Sequence, residues 1–220
     1  MSRAEGYNLT TKVFNDVRQS IVSGEYPLGM ALTEAYIAKK LNVSRTPVRE
    51  AFRQLEAERL IEITPNKGAV VQGVTDGDVK DIYEIRSLIE GLAAERAALN
   101  ATDEQIKALE ENIALAQFYL GRNDFEHIKG MDNDFHQLIY DMTASKTFKH
   151  ILGEMHSSAE KFRVKSIKSE GRVKEFVAEH TAVMEAIRER DGQKAKKLMT
   201  LHVNNSYNNL VKNCKLQQGE

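Results

Sequence analysis

Cysteine is almost missing from this chain: Cys214 is the only one among 220 residues. No disulfide can form within the chain, and a reducing, cytoplasmic setting is the expectation. Long apolar runs are missing too. No stretch approaches the ~20 residues a membrane span needs, and no charged-then-apolar secretory start is present. There is no repeat and no low-complexity tract. Charge of one sign is not in excess either, with 31 Lys/Arg against 32 Asp/Glu and a formal net charge of −1. What remains, 41% hydrophobic and 29% charged residues, is the profile of a soluble globular chain long enough for one large or two small domains.

The most informative stretch is Leu41–Leu55. Ser44 suits a helix N-cap, and Pro47 is tolerated only in a first helical turn. Val48, Ala51, Phe52 and Leu55 follow at i, i+3, i+4, i+7 spacing and give the helix one buried face. Arg45, Arg49 and Arg53 fall four apart along a flank, with Thr46 near the exposed N-terminus. A packed back, a polar tip and a cationic edge suit insertion into a DNA major groove. The arginine stripe alone also fits an ordinary amphipathic surface helix.

The flanking residues favour the DNA reader. Thr33 and Glu34 open a short helix with Ile37, Ala38 and Leu41 on its apolar face, and Asn42-Val43 connects it tightly to Ser44. After the second helix, Leu60–Thr64 and Ala69–Gln72 read as short strands around Pro65-Asn66-Lys67-Gly68, a hairpin turn with Gly68 where positive φ is needed. This predicts a two-stranded wing with Lys67 at its tip. A first helix, near Leu9–Ser23, packs through Val13, Val17, Ile21 and Val22. The expected fold of residues 9–73 is a winged helix-turn-helix, with residues 1–8 a flexible N-terminus.

Residues Leu32–Val71, centred on Ser44-Arg45-Thr46-Pro47-Val48-Arg49-Glu50-Ala51, resemble the DNA-binding domain of GntR-type bacterial transcription regulators. The resemblance implies that Arg45 and Arg49 contact bases and phosphates of a double-stranded operator, supported by Thr46 and Gly68. Some members carry an arginine early in the second helix, where this chain has Ala35. Residues 1–73 hold 10 Lys/Arg against 8 Asp/Glu, and residues 74–220 hold 21 against 24. With so small a positive excess, DNA affinity must come from the placement of the arginines and from a second copy, so a homodimer is expected.

From Thr75 the pattern becomes helical throughout. Six helices are predicted, near 76–99, 103–121, 123–143, 146–168, 171–190 and 192–213. The expectation is an all-α antiparallel bundle over 74–214, serving effector binding and dimerisation, with a flexible tail at 215–220. The chain as a whole is therefore mainly α with a small β wing. Asp132 and His136, four apart, lie on the apolar stripe of the third of these helices. His180 sits within that of the fifth, and His202 follows Ala195, Leu198 and Met199 in the last, with Asn205 one turn on. Burying a carboxylate and three imidazoles unpaired is costly, so these groups must satisfy each other, hold water or share a cation. His127, His150 and His156 are read as surface or packing residues.

An all-helical domain of this length behind a GntR-type reader resembles the FCD effector domain of the FadR subfamily. Six helices rather than seven place it nearer the VanR-like branch. By position, the resemblance implies Asp132, His136, His180 and His202 as metal ligands. Its first-helix pattern Arg-x-x-x-Glu matches Arg86 and Glu90, so that Arg86 meets an effector carboxylate or pairs with a neighbouring acid. Three nitrogens and one oxygen without sulfur suit Zn²⁺, Ni²⁺ or Mn²⁺. A small carboxylate would complete the shell, its other end held by Arg86 or Asn205. The function expected is a ligand-responsive, DNA-binding repressor with no catalytic residue and no membrane partner. Two alternatives remain at this point: a metal-dependent enzyme fused to a DNA-binding module, and a bundle that only dimerises.

Overall fold

The computed structural model describes residues 3–64, 68–72, 75–167 and 171–214. The chain divides into two compact units, Met1–Thr75 and Asp76–Glu220.

The first unit comprises α1 (Arg3–Val22), β1 (Ala31–Leu32), α2 (Glu34–Leu41), α3 (Arg45–Ala57), β2 (Ile61–Thr64) and β3 (Gly68–Val71). Thr33 caps α2 by accepting a hydrogen bond from the Tyr36 N–H. Asn42, in the left-handed region at φ 53°, ends α2 and sends its N–H back to the last turn. Val43 and Ser44 then lead directly into α3. Pro47 lies in the first turn of α3, where no intrahelical donor is lost. Ser44 occupies the N-cap position with extended backbone, but its side chain makes no capping bond, contrary to expectation. The buried faces of these helices and strands (Val17, Ile37, Val48, Phe52, Leu55 and Ile61 among them) form one core.

Two further features of this unit differ from the sequence reading. Helix α1 starts at Arg3 rather than Leu9. The wing belongs to a three-stranded antiparallel sheet, order β1-β3-β2, because Ala31 and Leu32 pair with Val70 and Ala69. On the other side of β3, Thr64 pairs with Gly68 and Ile61 with Val71. The turn residues, Lys67 included, lie outside the described residues.

The second unit runs α4 (Asp76–Asn100), α5 (Asp103–Gly121), α6 (Phe125–Met142), α7 (Lys146–Ser158), α8 (Glu160–Ile167), α9 (Arg172–Arg188) and α10 (Gly192–Cys214). Among the described residues it therefore has seven helices, not six. The stretch expected as one helix is broken at Ala159, a buried residue that ends α7 without glycine or proline. That removes the ground for the VanR-like branch. Helix α4 lies along α10 through small residues. Ala93, Ala94, Ala97 and Ala98 are fully buried, and a side chain at Gly91 would collide with Thr200, whose hydroxyl donates to the Ser87 carbonyl at 3.0 Å. A full capping box, Thr102 with Gln105, starts α5, and Asp124 caps α6 through the His127 N–H. Among the described residues, no helix is long and apolar enough to cross a membrane.

Candidate metal centre and nucleic-acid interface

In the first unit, packing through Val48, Ala51, Phe52 and Leu55 turns the opposite flank of α3 outward. Arg45, Thr46, Arg49 and Arg53 are all exposed. The three arginines line an open groove of about 640 Å³ with Thr33, Glu34, Ala35, Ile63, Thr64 and Gly68. Arg49 donates through Nε and Nη2 to both oxygens of Glu34, at 2.9 and 3.0 Å, and those bonds hold the Glu34 carboxyl below its usual range. Arg53 donates to Glu50 at 2.9 Å. Gly68 has φ 91°, and a Cβ there would sit 2.5 Å from the Leu32 carbonyl oxygen. Only glycine combines that backbone angle with that approach of β3 to β1.

In the second unit the four predicted polar groups converge. Asp132 and His136 come from α6, His180 from α9 and His202 from α10, and each is at most 3% exposed. The Nε2 atoms of His180 and His202 are 3.2 Å apart. Asp132 Oδ1 lies 3.6 Å from His136 Nε2 and 3.9 Å from His180 Nε2. Two nitrogens that share one ion at ~2.0–2.1 Å stand about 2.9–3.4 Å apart for octahedral to tetrahedral angles, so the histidine pair fits a common ion. His136 Nε2 is buried with no hydrogen-bond partner, an orphan that a ligated ion would satisfy. Beside these groups is a cavity of about 10 Å³, lined by Arg86, Asp132, His136, Arg163, Arg172 and His202 among others. That is space for one ion or one water. The donor set present therefore fits a divalent transition metal.

The surroundings are more ionic than the sequence reading foresaw. Arg86 Nε donates to Glu90 Oε1 at 2.6 Å, the neighbouring acid that was the alternative to an effector. Its Nη1, equally buried, has no partner. Glu90 Oε2 lies 2.7 Å from His136 Nδ1, off the ring N–H axis, so the contact is close but not an aligned hydrogen bond. Burial pushes the Glu90 carboxyl up, but Arg86 and His136 outweigh it and hold it well below its ordinary range. Asn205 donates to Glu179 Oε1 at 2.7 Å. Glu179 also receives Arg172 on both oxygens, at 2.8 and 2.6 Å, and His202 Nδ1 at 2.8 Å. Burial again raises the acid, and the bonds from His202 and Arg172 win, bringing Glu179 to about 2. Burial pulls His202 down to about 4 despite Glu179 and His180 well below its usual value, so both rings are neutral at pH 7, the form that ligates metal.

Three residues that sequence reasoning missed complete the cluster. Arg163, on the short helix α8, donates to Asp132 Oδ2 and, at 2.7 Å, to Asn133 Oδ1. Burial lowers it to about 9, which leaves it charged at pH 7. Arg172 and Glu179 are two turns apart on α9, on the face carrying Phe176. His156, assigned above to packing, is buried and near Glu90 and His136. It has partners already, with Nε2 3.2 Å from Asn133 Oδ1 and Nδ1 3.4 Å from the Tyr140 hydroxyl. Glu90, His136 and His156 could also hold an ion, but through the other face of His136. The Nε2 side, with more histidines and the cavity, is the better site. His127 is exposed and pairs with Asp124.

Comparison with known proteins assigns the two units. Residues 9–71 match the bacterial regulatory proteins of the gntR family, and residues 81–205 match the FCD domain. The chain is 28% identical over 192 residues to the HTH-type transcriptional repressor RspR of Escherichia coli K12, covering 87% of this chain and 84% of that protein. It is 28% identical over 200 residues to the gluconate operon transcriptional repressor of Bacillus subtilis, covering 88% and 80%. Its fold is similar to that of E. coli McbR/YncC, with a TM-score of 0.75 at 20% identity over 93% of this chain and 97% of that one. Two matched domains in this order, on a winged helix-turn-helix followed by a helical bundle, settle the family. The chain belongs to the GntR family of bacterial regulatory proteins, as a DNA-binding transcription regulator with an FCD domain and not an enzyme.

Proposed function

We propose that this regulator senses a small carboxylic acid through a divalent metal held by Asp132, His136, His180 and His202, and that it acts as a cytoplasmic, homodimeric repressor. The observation that carries the reading is a pair of buried orphans at one cavity. His136 Nε2 and Arg86 Nη1 both lack a partner, and both residues line the same space. The first suits a metal and the second an anion. Charge supports the pairing. Buried Arg86, Arg163 and Arg172 balance the carboxylates of Glu90, Asp132 and Glu179, so a dication adds positive charge that an anionic ligand offsets. When bound, the ion supplies Lewis-acidic positions for a carboxylate oxygen. Arg86 Nη1 receives the ligand's other polar end, while Asn205, engaged with Glu179, acts on the ligand only through that carboxylate.

Arg86 and Glu90 both sit on α4, which follows the wing after a few residues, so a ligand that prefers one setting of α4 shifts the DNA-binding equilibrium by that differential affinity. Ile85, Leu88, Leu92 and Leu99 share one exposed side of α4, with Leu88 and Leu99 at 62% and 65% exposure, an apolar face suited to a second copy. Repression follows the named roles of RspR and the gluconate operon repressor. DNA contact falls to Arg45, Thr46, Arg49 and Arg53, with Lys67 and Gly68 from the wing.

The size of the cavity favours a second reading, in which the metal itself is the signal and no organic ligand enters. Native mass spectrometry of freshly purified full-length protein separates the cases. The proposal expects a dimer carrying one divalent ion per chain and a retained small acid. An ion without an acid favours the second reading, and neither overturns both.

A further inference from the structure

The structure holds one arrangement twice, closed by a hydrogen bond at His202 and present as a 2.7 Å contact at His136. Arg86 grips Glu90, and Glu90 touches Nδ1 of His136. Arg172 grips Glu179, and Glu179 accepts from Nδ1 of His202. The two chains of contacts come from different helices, α4 to α6 in one and α9 to α10 in the other, yet both end on a histidine that lines the cavity. We infer that Glu90 and Glu179 are positioning residues that lock His136 and His202 as Nδ1–H tautomers, so that both offer Nε2 to the metal. This rests on the metal reading proposed above.

The physical argument starts from the two nitrogens of imidazole. A neutral ring that gives one lone pair to an ion must carry its proton on the other nitrogen, and the acceptor there fixes both tautomer and ring orientation. A carboxylate also makes the ring a better donor, but a buried carboxylate is costly unless it is itself paired. Each arginine meets that need from its own helix, four residues before Glu90 and seven before Glu179. An ion pair serving stability alone would not require the second oxygen to be spent on a ring. Glu90 gives Oε1 to Arg86 and turns Oε2 to His136. Glu179 gives Oε1 to Arg172 and Asn205, and Oε2 to Arg172 and His202.

Among the described residues no carboxylate pairs with Nδ1 of His180, and its ring is held by packing instead. Phe135 stacks on it at 3.8 Å between centroids, with 14° between planes, and Phe176 lies at 4.1 Å. Its Nε2 is 3.2 Å from that of His202. If His202 carries its proton on Nδ1, its Nε2 is an acceptor, and His180 must donate from Nε2 in the metal-free protein. The arrangement thus dictates the proton position on all three rings.

Two readouts test it on the full chain. Long-range ¹H–¹⁵N spectra of the metal-free protein should show Nδ1–H at His136 and His202 and Nε2–H at His180. Zn²⁺ competition against a chromophoric chelator should give affinities weakened about 10–100-fold by Glu90→Gln and by Glu179→Gln. Glu95→Gln, whose carboxylate binds Gln193 and Lys196 away from the site, should leave affinity unchanged. Nε2–H at His136 and His202 would overturn the inference, as would folded variants that bind Zn²⁺ like the parent. Should Glu90→Gln fail to fold, Glu179→Gln and the spectra of the unaltered protein still decide. A parent protein with no Zn²⁺ affinity would sink the metal reading itself, which is a different result from binding that ignores both substitutions.

Discussion

Arg49 holds Glu34 side-on, with Nε and Nη2 each donating to one carboxylate oxygen. The pair joins the arginine-bearing flank of α3 to the first turn of α2 and fixes the direction of the guanidinium. It also puts a negative charge in the groove where phosphates would lie. Glu34→Ala is therefore expected to raise affinity for random duplex several-fold while lowering discrimination between selected and random sequence. Arg49→Lys keeps the charge and loses the fork, and should cost specific binding about 1–3 kcal/mol, or roughly 5–150-fold, with little loss of nonspecific binding. Fluorescence anisotropy against both duplexes at fixed salt measures each effect. A specificity ratio indifferent to both substitutions would remove Arg49 from base reading.

Gly68 makes a narrower demand. Alanine there meets both a positive φ and the Leu32 carbonyl, so Gly68→Ala should destabilise the first unit by about 1–3 kcal/mol. Because β1 pairs with β3 at Leu32 and Ala69, the damage should spread to the sheet and weaken DNA binding in parallel. Urea unfolding followed by far-UV dichroism reads the first effect. Stability equal to the parent would mean that the wing is not held as described.

Much of this architecture is legible in the sequence because it depends on local rules. Apolar spacing marks α3, Thr33 and Asn42 bound α2, and loop residues mark the ends of α4, α5 and α6. The features that were not legible are those with no local signature. Strand β1 is two residues long, too short to show alternation, and exists only through β3. The break at Ala159 has neither glycine nor proline to announce it. The same holds at the cluster. Asp132, His136, His180 and His202 stand out because polar groups on apolar stripes are conspicuous. Arg163, Arg172 and Glu179 do not, because charged residues on a helix ordinarily face water, and only pairing, across helices for Arg163 and within α9 for Arg172 and Glu179, lets them withdraw from it.

Burial makes the Arg86–Glu90 pair a sensitive position. Arg86→Ala leaves the Glu90 carboxylate uncompensated at 0% exposure and is expected to cost about 3–5 kcal/mol. Arg53→Ala breaks an exposed pair with Glu50 and should cost well under 1 kcal/mol. Denaturant midpoints of the two variants, measured side by side, check the contrast. Equal midpoints would show that the buried pair carries no structural weight.

The central claim is that occupancy of the histidine cluster governs DNA binding, and one titration addresses it directly. The metal-loaded full-length protein is bound to a duplex recovered by in-vitro selection, and a panel of small mono- and dicarboxylic acids is titrated in while anisotropy is followed. At least one acid should shift operator affinity 5-fold or more, in line with couplings of about 1–3 kcal/mol, and the shift should vanish when His180 and His202 are both replaced by Ala. Operator affinity that stays the same with and without metal, across the panel and in the double variant, would contradict the account and leave the bundle a structural support for the DNA reader.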